Sequence, residues 1–254
     1  MKFTRKDFLR ILAGSAVMAG AGRLVHAIGE SNAGSSARPA EARRRLGMVI
    51  DLRKCSEEKG CDWCRRACHL AHNVPRIPDK DHEVKWIWNE PCANVFPFQQ
   101  SEYTARTFTG TLPVLCNHCA NPACVRVCPT GATWKREDGV VMMDYHRCIG
   151  CRYCMAACPY GSRSFNFVDP RPYLGKVNLD FPTRTAGVVE KCNFCEERLA
   201  DGRLPACVEA CPARAIVFGD LNDEHSPVRE VLARRYAVQR RPELGTGPSV
   251  FYLV

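Results

Sequence analysis

Cysteine dominates the chemistry that this 254-residue sequence could perform. Sixteen of its 17 cysteines fall into four groups of four, and each group ends with two cysteines separated by three residues. Thiolate sulfur binds zinc and iron–sulfur clusters, and it also forms disulfides. The groups are Cys55, Cys61, Cys64, Cys68; Cys116, Cys119, Cys124, Cys128; Cys148, Cys151, Cys154, Cys158; and Cys192, Cys195, Cys207, Cys211.

The spacing within the groups favours iron–sulfur clusters. The third group, C-x2-C-x2-C-x3-C-P, has the spacing of bacterial ferredoxins, and the second and fourth groups also end in Cys-Pro. A structural zinc site would be built from two C-x2-C pairs, and disulfides are the ordinary expectation for an exported, cysteine-rich chain. We therefore predict all sixteen cysteines as iron ligands and four [4Fe–4S] clusters as cofactors, with zinc and disulfides as the alternatives.

This spacing has a physical basis in how a short loop surrounds a cluster. Three closely spaced cysteines can bind three irons of one cubane, and the fourth is expected to begin a helix that points away toward a neighbouring cluster. The proline that follows cannot continue a helix in the other direction. The repeat therefore predicts clusters in adjacent pairs.

The remaining candidate residues indicate no catalytic chemistry. The sequence has no phosphate-binding loop, no nucleophile elbow and no C-x-x-C-H haem-attachment run. Four histidines near the cysteines could donate hydrogen bonds to cluster sulfurs, although each alone is more often a packing or surface residue: His69, His72, His118 and His146. Cys92 stands outside every group and is interpreted as a bystander. We expect no catalytic site in this chain.

Short strands are predicted after the cysteine groups. Residues 132–135 and 139–144 are strand-forming runs separated by Asp138-Gly139, which is a hairpin signal, and residues 215–218 form a further strand candidate. The sequence therefore predicts an α+β fold in which a ferredoxin-like double-cluster core is duplicated into a four-cluster arrangement, rich in loops and with short hairpins.

The beginning of the chain has the features of an export signal. Residues 1–27 combine a basic start, a short apolar stretch and a small-residue end at 25–27. Residues 4–10 resemble the twin-arginine motif, with Lys6 in place of the second arginine. Because a chain loaded with clusters in the cytoplasm should be exported folded, we predict a peripheral protein on the periplasmic or external face of the cytoplasmic membrane. A general secretory signal or an uncleaved anchor is the alternative.

The rest of the chain divides into a lead-in and one folded domain. Residues 28–45 are rich in Gly, Ser, Ala and Arg and lack apolar periodicity, which predicts a flexible segment. Residues 46–254 are predicted to form the electron-carrying domain. Its inner cluster pair is predicted within 114–168, and its outer pair combines 46–72 with 188–220.

The net charge of +9 does not indicate a nucleic-acid partner. The first 27 residues hold five basic residues and one acidic residue, which leaves +5 for the rest of the chain. Each oxidised cluster with its four thiolates would add about −2, so the loaded domain would be slightly negative. The basic residues are thus partly a counterweight to metal–thiolate charge.

An aromatic segment lies between the first two cysteine groups. Six aromatic residues fall within 73–113, and core packing is the favoured interpretation. The alternative hypothesis places Trp86 and Trp88 on a docking face for a membrane partner, because aromatic residues are enriched at interfaces.

With these motifs, the sequence resembles the exported four-cluster ferredoxin-like subunits of membrane respiratory complexes, a family that includes the electron-transfer subunits of polysulfide and tetrathionate reductases. The resemblance covers most of the chain after Leu46. Within the family, five stretches are most similar to the iron–sulfur subunit of DsrMKJOP-type complexes of dissimilatory sulfur metabolism. They are 48–53 (MVIDLR), 72–75 (HNVP), 84–88 (VKWIW), 183–192 (TRTAGVVEKC) and 244–253 (LGTGPSVFYL).

The resemblance implies that the last cysteine of each group binds the cluster of the partner group. The implied ligand sets are Cys55, Cys61, Cys64 with Cys211; Cys192, Cys195, Cys207 with Cys68; Cys116, Cys119, Cys124 with Cys158; and Cys148, Cys151, Cys154 with Cys128. Five residues separate Cys55 from Cys61, where the family usually has two, so the role of Cys55 stays open.

The resemblance also implies a role in electron transfer. The subunit would relay electrons between an exported multihaem c-type cytochrome and a quinone-interacting integral membrane subunit, with the chemistry performed by other subunits of the complex. The alternative is the electron-transfer subunit of an exported molybdopterin oxidoreductase of the polysulfide or tetrathionate reductase type. The direction of electron flow stays open.

Overall fold

The computed structural model describes residues 43–55, 61–99, 103 and 110–254. The predicted export signal, 1–27, and the lead-in up to residue 42 lie outside the described residues. Among the helices of the described residues, none is long and apolar enough to cross a membrane.

The described residues mix short strands with short helices, as the α+β prediction expects. Their strands are β1 (Leu46–Asp51), β2 (Ile87–Pro91), β3 (Thr111–Leu115), β4 (Thr133–Lys135), β5 (Val141–Met143), β6 (Ser164–Phe165), β7 (Val189–Glu190), β8 (Ile216–Asp220), β9 (Ala237–Val238) and β10 (Val250–Leu253). Their helices are α1 (Trp63–Ala71), α2 (Cys92–Val95), α3 (Ala123–Arg126), α4 (Tyr153–Ala156), α5 (Glu196–Ala200), α6 (Ala206–Glu209) and α7 (Pro227–Arg234). Most helices have a single turn, so loops hold much of the cysteine-bearing chain.

The largest sheet joins distant parts of the sequence. Its order is β8-β1-β10-β9, with β1 antiparallel to β8 and parallel to β10. Strand β1 is buried at all six positions, as its continuous apolar run requires of a central strand. A Cβ at Gly47 would lie 2.6 Å from Leu221 and 2.9 Å from the Ser249 carbonyl, so only glycine allows this close packing.

The predicted hairpin after the second cysteine group is confirmed. Strands β4 and β5 pair antiparallel with Thr133 opposite Met143, and Gly139 makes the turn with a positive φ of 84°. The strand candidate at 215–218 is confirmed for residues 216–218, which belong to β8, and its partner is β1, about 170 residues earlier in the sequence. Two further antiparallel pairs, β2–β3 and β6–β7, complete the described strands.

Trp86 and Trp88 belong to the interior, so the docking-face hypothesis for them is wrong. Trp86 is 0% exposed and Trp88 is 7% exposed. The Trp86 ring stacks on His72 with ring centres 4.6 Å apart, and its Nε1 donates to Glu190 at 3.0 Å. Burial of a large aromatic ring with its one polar atom satisfied is what a core position demands.

Candidate metal centres

The second, third and fourth cysteine groups share one backbone conformation. In each C-x2-C loop, the residue before the second cysteine has a positive φ: 41° at His118, 70° at Gly150 and 58° at Phe194. This left-handed residue turns the chain sharply between the two cysteines. The internal repeat in the sequence is thus also a structural repeat.

The second half of each of these three groups is also alike. The third cysteine lies in a one-turn helix, α3, α4 or α6, and the fourth follows two residues after that helix ends. The amide groups of Cys128, Cys158 and Cys211 each donate to the carbonyl three residues before at 3.2 Å. The expectation that the fourth cysteine begins a helix is therefore wrong for these groups, because the short helix precedes it and proline follows it.

The first group has a different structure. Helix α1 holds Cys64 and Cys68 one turn apart, and Cys61 lies just before the helix. Among the four cysteines that end a group, Cys68 alone lies within a helix. The amide of Cys55 donates to the Asp51 carbonyl at 3.0 Å, which fixes Cys55 directly after β1.

Two sets of four cysteines each line one small cavity. Cys211 completes the first cavity, which is lined by Cys55, Cys61 and Cys64 together with Ala213 and Ile216 among others. Four cysteines line the second cavity: Cys128, Cys148, Cys151 and Cys154. In both, three cysteines come from one group and the fourth from another.

The other eight cysteines also gather across groups. Cys119 lies within electrostatic range of Cys116, Cys124 and Cys158. Cys68 likewise lies close to Cys192, Cys195 and Cys207, and also to Cys64 of its own group. Every predicted ligand is thus among the described residues. Sulfurs of different implied sets are also neighbours, as Cys116 and Cys192 are, so the assignment of each ligand to a cluster stays a prediction.

The electrostatics of these sulfurs suit a bound metal. Burial and then the neighbouring Cys55 sulfur raise the pKa of Cys64 to about 12. Burial and the neighbouring Cys116 raise the pKa of Cys119 to about 12 in the same way. Thiolates so crowded are stable only when a cation replaces their protons, and iron in a cluster supplies that positive charge.

Two buried cations provide independent evidence that the cysteine sites suit a bound cluster. Arg163 is 4% exposed and Lys191 is 1% exposed. Lys191 donates to the carbonyls of Val141 and Cys192, and Arg163 donates to the Sγ of Cys124 and the hydroxyl of Thr133. Neither forms an ion pair with a carboxylate of the described residues. Because a buried charge without a counter-charge is costly, an anionic group is expected beside them, and a thiolate-bound cluster is such a group.

Backbone amides also point at the sulfurs. The Cys192 sulfur accepts from the Phe194 amide at 3.4 Å. The Cys195 sulfur accepts from the Ala206 amide at 3.3 Å, and the Cys211 sulfur accepts from the Ala215 amide at 3.2 Å. Such hydrogen bonds stabilise the added negative charge of a reduced cluster and are one determinant of its potential.

Of the four histidines that could donate hydrogen bonds to cluster sulfurs, only His72 has a contact with one. Its Nδ1 lies 2.9 Å from the Cys68 carbonyl oxygen and 3.7 Å from the Cys68 sulfur, and its Nε2 lies 2.8 Å from Glu197 Oε1. His118 instead accepts a hydrogen bond from the Val141 amide, and burial lowers its pKa well below the usual value. His69 lies 3.3 Å from the Ile87 carbonyl, and His146 is exposed.

Cys92 is placed as the bystander interpretation expects. It begins helix α2, is 4% exposed, and packs in the main core. Burial raises the pKa of its thiol, which disfavours the reactive thiolate form.

Arg163 and Lys191 are the residues near the sulfurs that sequence reasoning missed. Lys191 stands next to Cys192, but basic residues beside cysteines are common in this sequence. Arg163 lies five residues beyond Cys158, where spacing carries no ligand signal. Only the fold shows that both side chains point inward.

Comparison with known proteins agrees with the cysteine geometry. Two family models described as "4Fe-4S dicluster domain" match residues 107–170 and 140–212. The chain is therefore an iron–sulfur protein with ferredoxin-like dicluster domains.

Curated relatives extend the similarity to more than four-fifths of the chain. The Hdr-like menaquinol oxidoreductase iron-sulfur subunit 1 of Archaeoglobus fulgidus is 41% identical over 236 residues, covering 84% of this chain and 86% of the relative. The menaquinone reductase iron-sulfur cluster-binding subunit of Nitratidesulfovibrio vulgaris is 40% identical over 238 residues, covering 84% and 90%. One tetrathionate reductase subunit from Salmonella typhimurium is 40% identical over 217 residues, covering 83% and 73%. The chain belongs to the family of iron–sulfur electron-transfer subunits of respiratory oxidoreductase complexes, in which other subunits provide the catalytic activity.

Proposed function

We propose that this chain binds four [4Fe–4S] clusters and relays electrons through them in a membrane-bound respiratory complex. The observation that carries this proposal is the pattern of the four cysteine sets, each of which takes three sulfurs from one group and one from another. The proposed ligand sets are Cys55, Cys61, Cys64, Cys211; Cys68, Cys192, Cys195, Cys207; Cys116, Cys119, Cys124, Cys158; and Cys128, Cys148, Cys151, Cys154.

In this proposal the clusters supply one-electron chemistry, and the protein holds and tunes them. The last cysteine of each group binds the cluster of a partner group. This arrangement links the first cysteine group to the fourth group and the second group to the third. Each such link fixes two binding sites on one short stretch of chain, so members of a pair are held at a constant separation. Crowded sulfurs and buried cations then set the charge that each cluster experiences.

The finer identity that we propose is a DsrO-like subunit of a DsrMKJOP-type complex of dissimilatory sulfur metabolism. Its partners would be a quinone-interacting integral membrane subunit and an exported multihaem c-type cytochrome. The names of the menaquinol and menaquinone relatives support a quinone-linked partner. The five sequence stretches noted above support the DsrO-like assignment, and the signal-like residues 1–27 support export to the periplasmic or external membrane face.

A second candidate is the electron-transfer subunit of an exported molybdopterin oxidoreductase. The relative from a tetrathionate reductase favours this alternative. The two candidates share the clusters and differ in the partner, so co-purifying cofactors separate them.

The test is to purify the full complex anaerobically from native membranes and to measure iron, acid-labile sulfide, c-type haem and molybdenum per chain. About sixteen irons with c-haem and without molybdenum is the expected result. The same iron with stoichiometric molybdenum would support the reductase alternative, and zinc in place of iron would overturn the proposal. Protease treatment of intact spheroplasts should digest the chain if it faces outward.

The role of Cys55 is tested with a matched pair of variants. Cys55→Ser should lose one cluster, or about four irons per chain, because Cys55 lines the cavity shared with Cys61, Cys64 and Cys211. Cys92→Ser is the control, since Cys92 lies in the apolar core and should leave iron content unchanged. Equal iron content in both variants would remove Cys55 from the ligand set.

A further inference from the structure

Arg163 is buried directly against a predicted ligand sulfur. It lies between the third cysteine group and β6 and is 4% exposed. Its Nη2 donates to Cys124 Sγ at 3.1 Å and to Thr133 Oγ1 at 2.8 Å. An N–H donor on a formal cation makes a stronger hydrogen bond than a neutral amide does.

The other nitrogen of the guanidinium, Nη1, lies 3.7 Å from the sulfur of Met143, which lines the cavity of the other inner set together with Cys154. Cys124 and Cys154 belong to different proposed clusters, because Cys124 gathers with Cys116, Cys119 and Cys158, whereas Cys154 lines the cavity of the other inner set. One arginine side chain therefore donates to a ligand sulfur of one inner site and contacts a residue that lines the other.

Neighbouring groups hold the guanidinium in this orientation. Thr133 donates its hydroxyl proton to the Met142 carbonyl at 2.6 Å, which leaves its oxygen free to accept from Arg163. The Arg163 Nη1 lies 3.7 Å from the Met143 sulfur. Because no carboxylate of the described residues pairs with Arg163, its charge is available to the sulfurs alone.

We propose that Arg163 is a shared positioning residue that raises the reduction potentials of both inner clusters by placing one fixed cation against a ligand sulfur of one site and against the lining of the other. This inference rests on the four-cluster function proposed above. Reduction adds one negative charge to a cluster, and a cation at hydrogen-bond distance in a site screened from water stabilises the reduced form more than the oxidised form. Electrons should therefore reside on the inner pair more readily than they would without Arg163.

The test is an EPR-monitored redox titration of the anaerobically purified complex. Arg163→Met removes the charge and both hydrogen bonds while keeping a long side chain. At unchanged iron content, two of the midpoint potentials should shift downward and the other two should stay in place. Arg163→Lys keeps the charge but not the planar fork, so its shift should be smaller.

Arg147→Met is the matched control. Arg147 stands next to Cys148 in the sequence, but its side chain is 68% exposed and pairs with Asp144 at 3.4 Å. Water screens its charge, so its removal should leave the potentials in place. Unshifted potentials in Arg163→Met, a shift of only one cluster, or an equal shift of all four would overturn the inference.

A second measurement on the unaltered protein decides the matter if Arg163→Met fails to assemble. In complex labelled with guanidino-15N arginine, pulsed EPR of the reduced clusters should detect a nitrogen coupling in the signals of two clusters. No coupling, or coupling in one signal only, would overturn the shared role. A wild-type iron content far below about sixteen per chain would instead contradict the four-cluster function itself.

Discussion

Arg184 and Glu190 form an ion pair at 2.6 Å in which neither side chain is exposed to solvent. Glu190 also accepts from Trp86 Nε1 at 3.0 Å and from Asn166 Nδ2 at 2.5 Å. Arg184 donates to the His72 carbonyl at 2.5 Å, which joins the end of α1 to this network. A buried network of charge-assisted hydrogen bonds fixes the arrangement of the segments that it joins.

Removing one partner of this pair should strongly destabilise the protein. Arg184→Met leaves Glu190 as a buried, uncompensated charge, which costs about 3–5 kcal/mol. The double variant Arg184→Met/Glu190→Gln should recover part of this loss. Thermal unfolding, monitored by circular dichroism, measures the stability of the single variant and of the double variant. Arg171→Met, which breaks the exposed pair with Asp169, is the control and should melt close to wild type.

The Asp51–Arg235 pair should contribute stability that depends on pH. Burial acts to raise the pKa of Asp51, but the Arg235 hydrogen bond and the amides of Lys54 and Arg53 outweigh it, so the pKa lies below the usual value. Asp51→Asn should cost about 1–3 kcal/mol at neutral pH.

The sign of this effect follows from the lowered pKa. The contribution of ionised Asp51 is fully present above the unfolded-state pKa of about 3.9 and is lost as the pH falls through the folded-state pKa. The melting difference between wild type and Asp51→Asn should thus be constant from about pH 6 to 8 and shrink only in strong acid. A difference that grows on acidification would contradict this assignment.

Two glycine variants should separate crowding from backbone strain. Alanine at Gly150 would place its Cβ 2.4 Å from the Gly187 carbonyl, at a φ of +70° and between Cys148 and Cys151. Gly150→Ala should therefore lose about four irons, which are those of the cluster that Cys148 and Cys151 help to bind. Gly161 has a similar φ of +64° but open space around it, so Gly161→Ala should keep its iron and lose about 1–3 kcal/mol. Equal iron loss in both variants would show that strain, not crowding, is responsible.

Removal of the clusters should unfold much of the domain. Without them, Arg163 and Lys191 would remain buried without an anionic partner. After treatment with an oxidant and chelator, we expect loss of far-UV circular dichroism and of cooperative melting. An iron-free chain that melts at the wild-type temperature would contradict the role given to metal–thiolate charge.

Sequence reasoning was most successful where spacing alone constrains the chain. The hairpin at Asp138-Gly139 is a local pattern and appears as expected, and the repeated C-x2-C spacing appears as a repeated left-handed turn at His118, Gly150 and Phe194. The expectation of a helix that begins at the fourth cysteine was wrong. The sequence shows that a proline follows Cys128, but it does not show that a one-turn helix ends just before Cys128.

Long-range pairing could not be predicted in this way. Nothing local in 48–51 or 250–253 indicates that these strands lie side by side in parallel. The inward orientation of Arg163 and Lys191 also depends on tertiary packing, since basic residues usually face solvent. The same packing buries Trp86, in agreement with the favoured core interpretation and against the alternative of a docking face.

Strand β1 lies between β8 and β10, with Met48 opposite both Phe218 and Val250. During synthesis, β1 therefore leaves the ribosome long before either neighbour has been translated. Until Val250 to Leu253 arrive, one edge of β1 has no partner and is open to pairing with other chains. A product that ends before β10 would keep that edge permanently, so aggregation or degradation of prematurely terminated chains should prevent an incompletely built electron carrier from joining its complex.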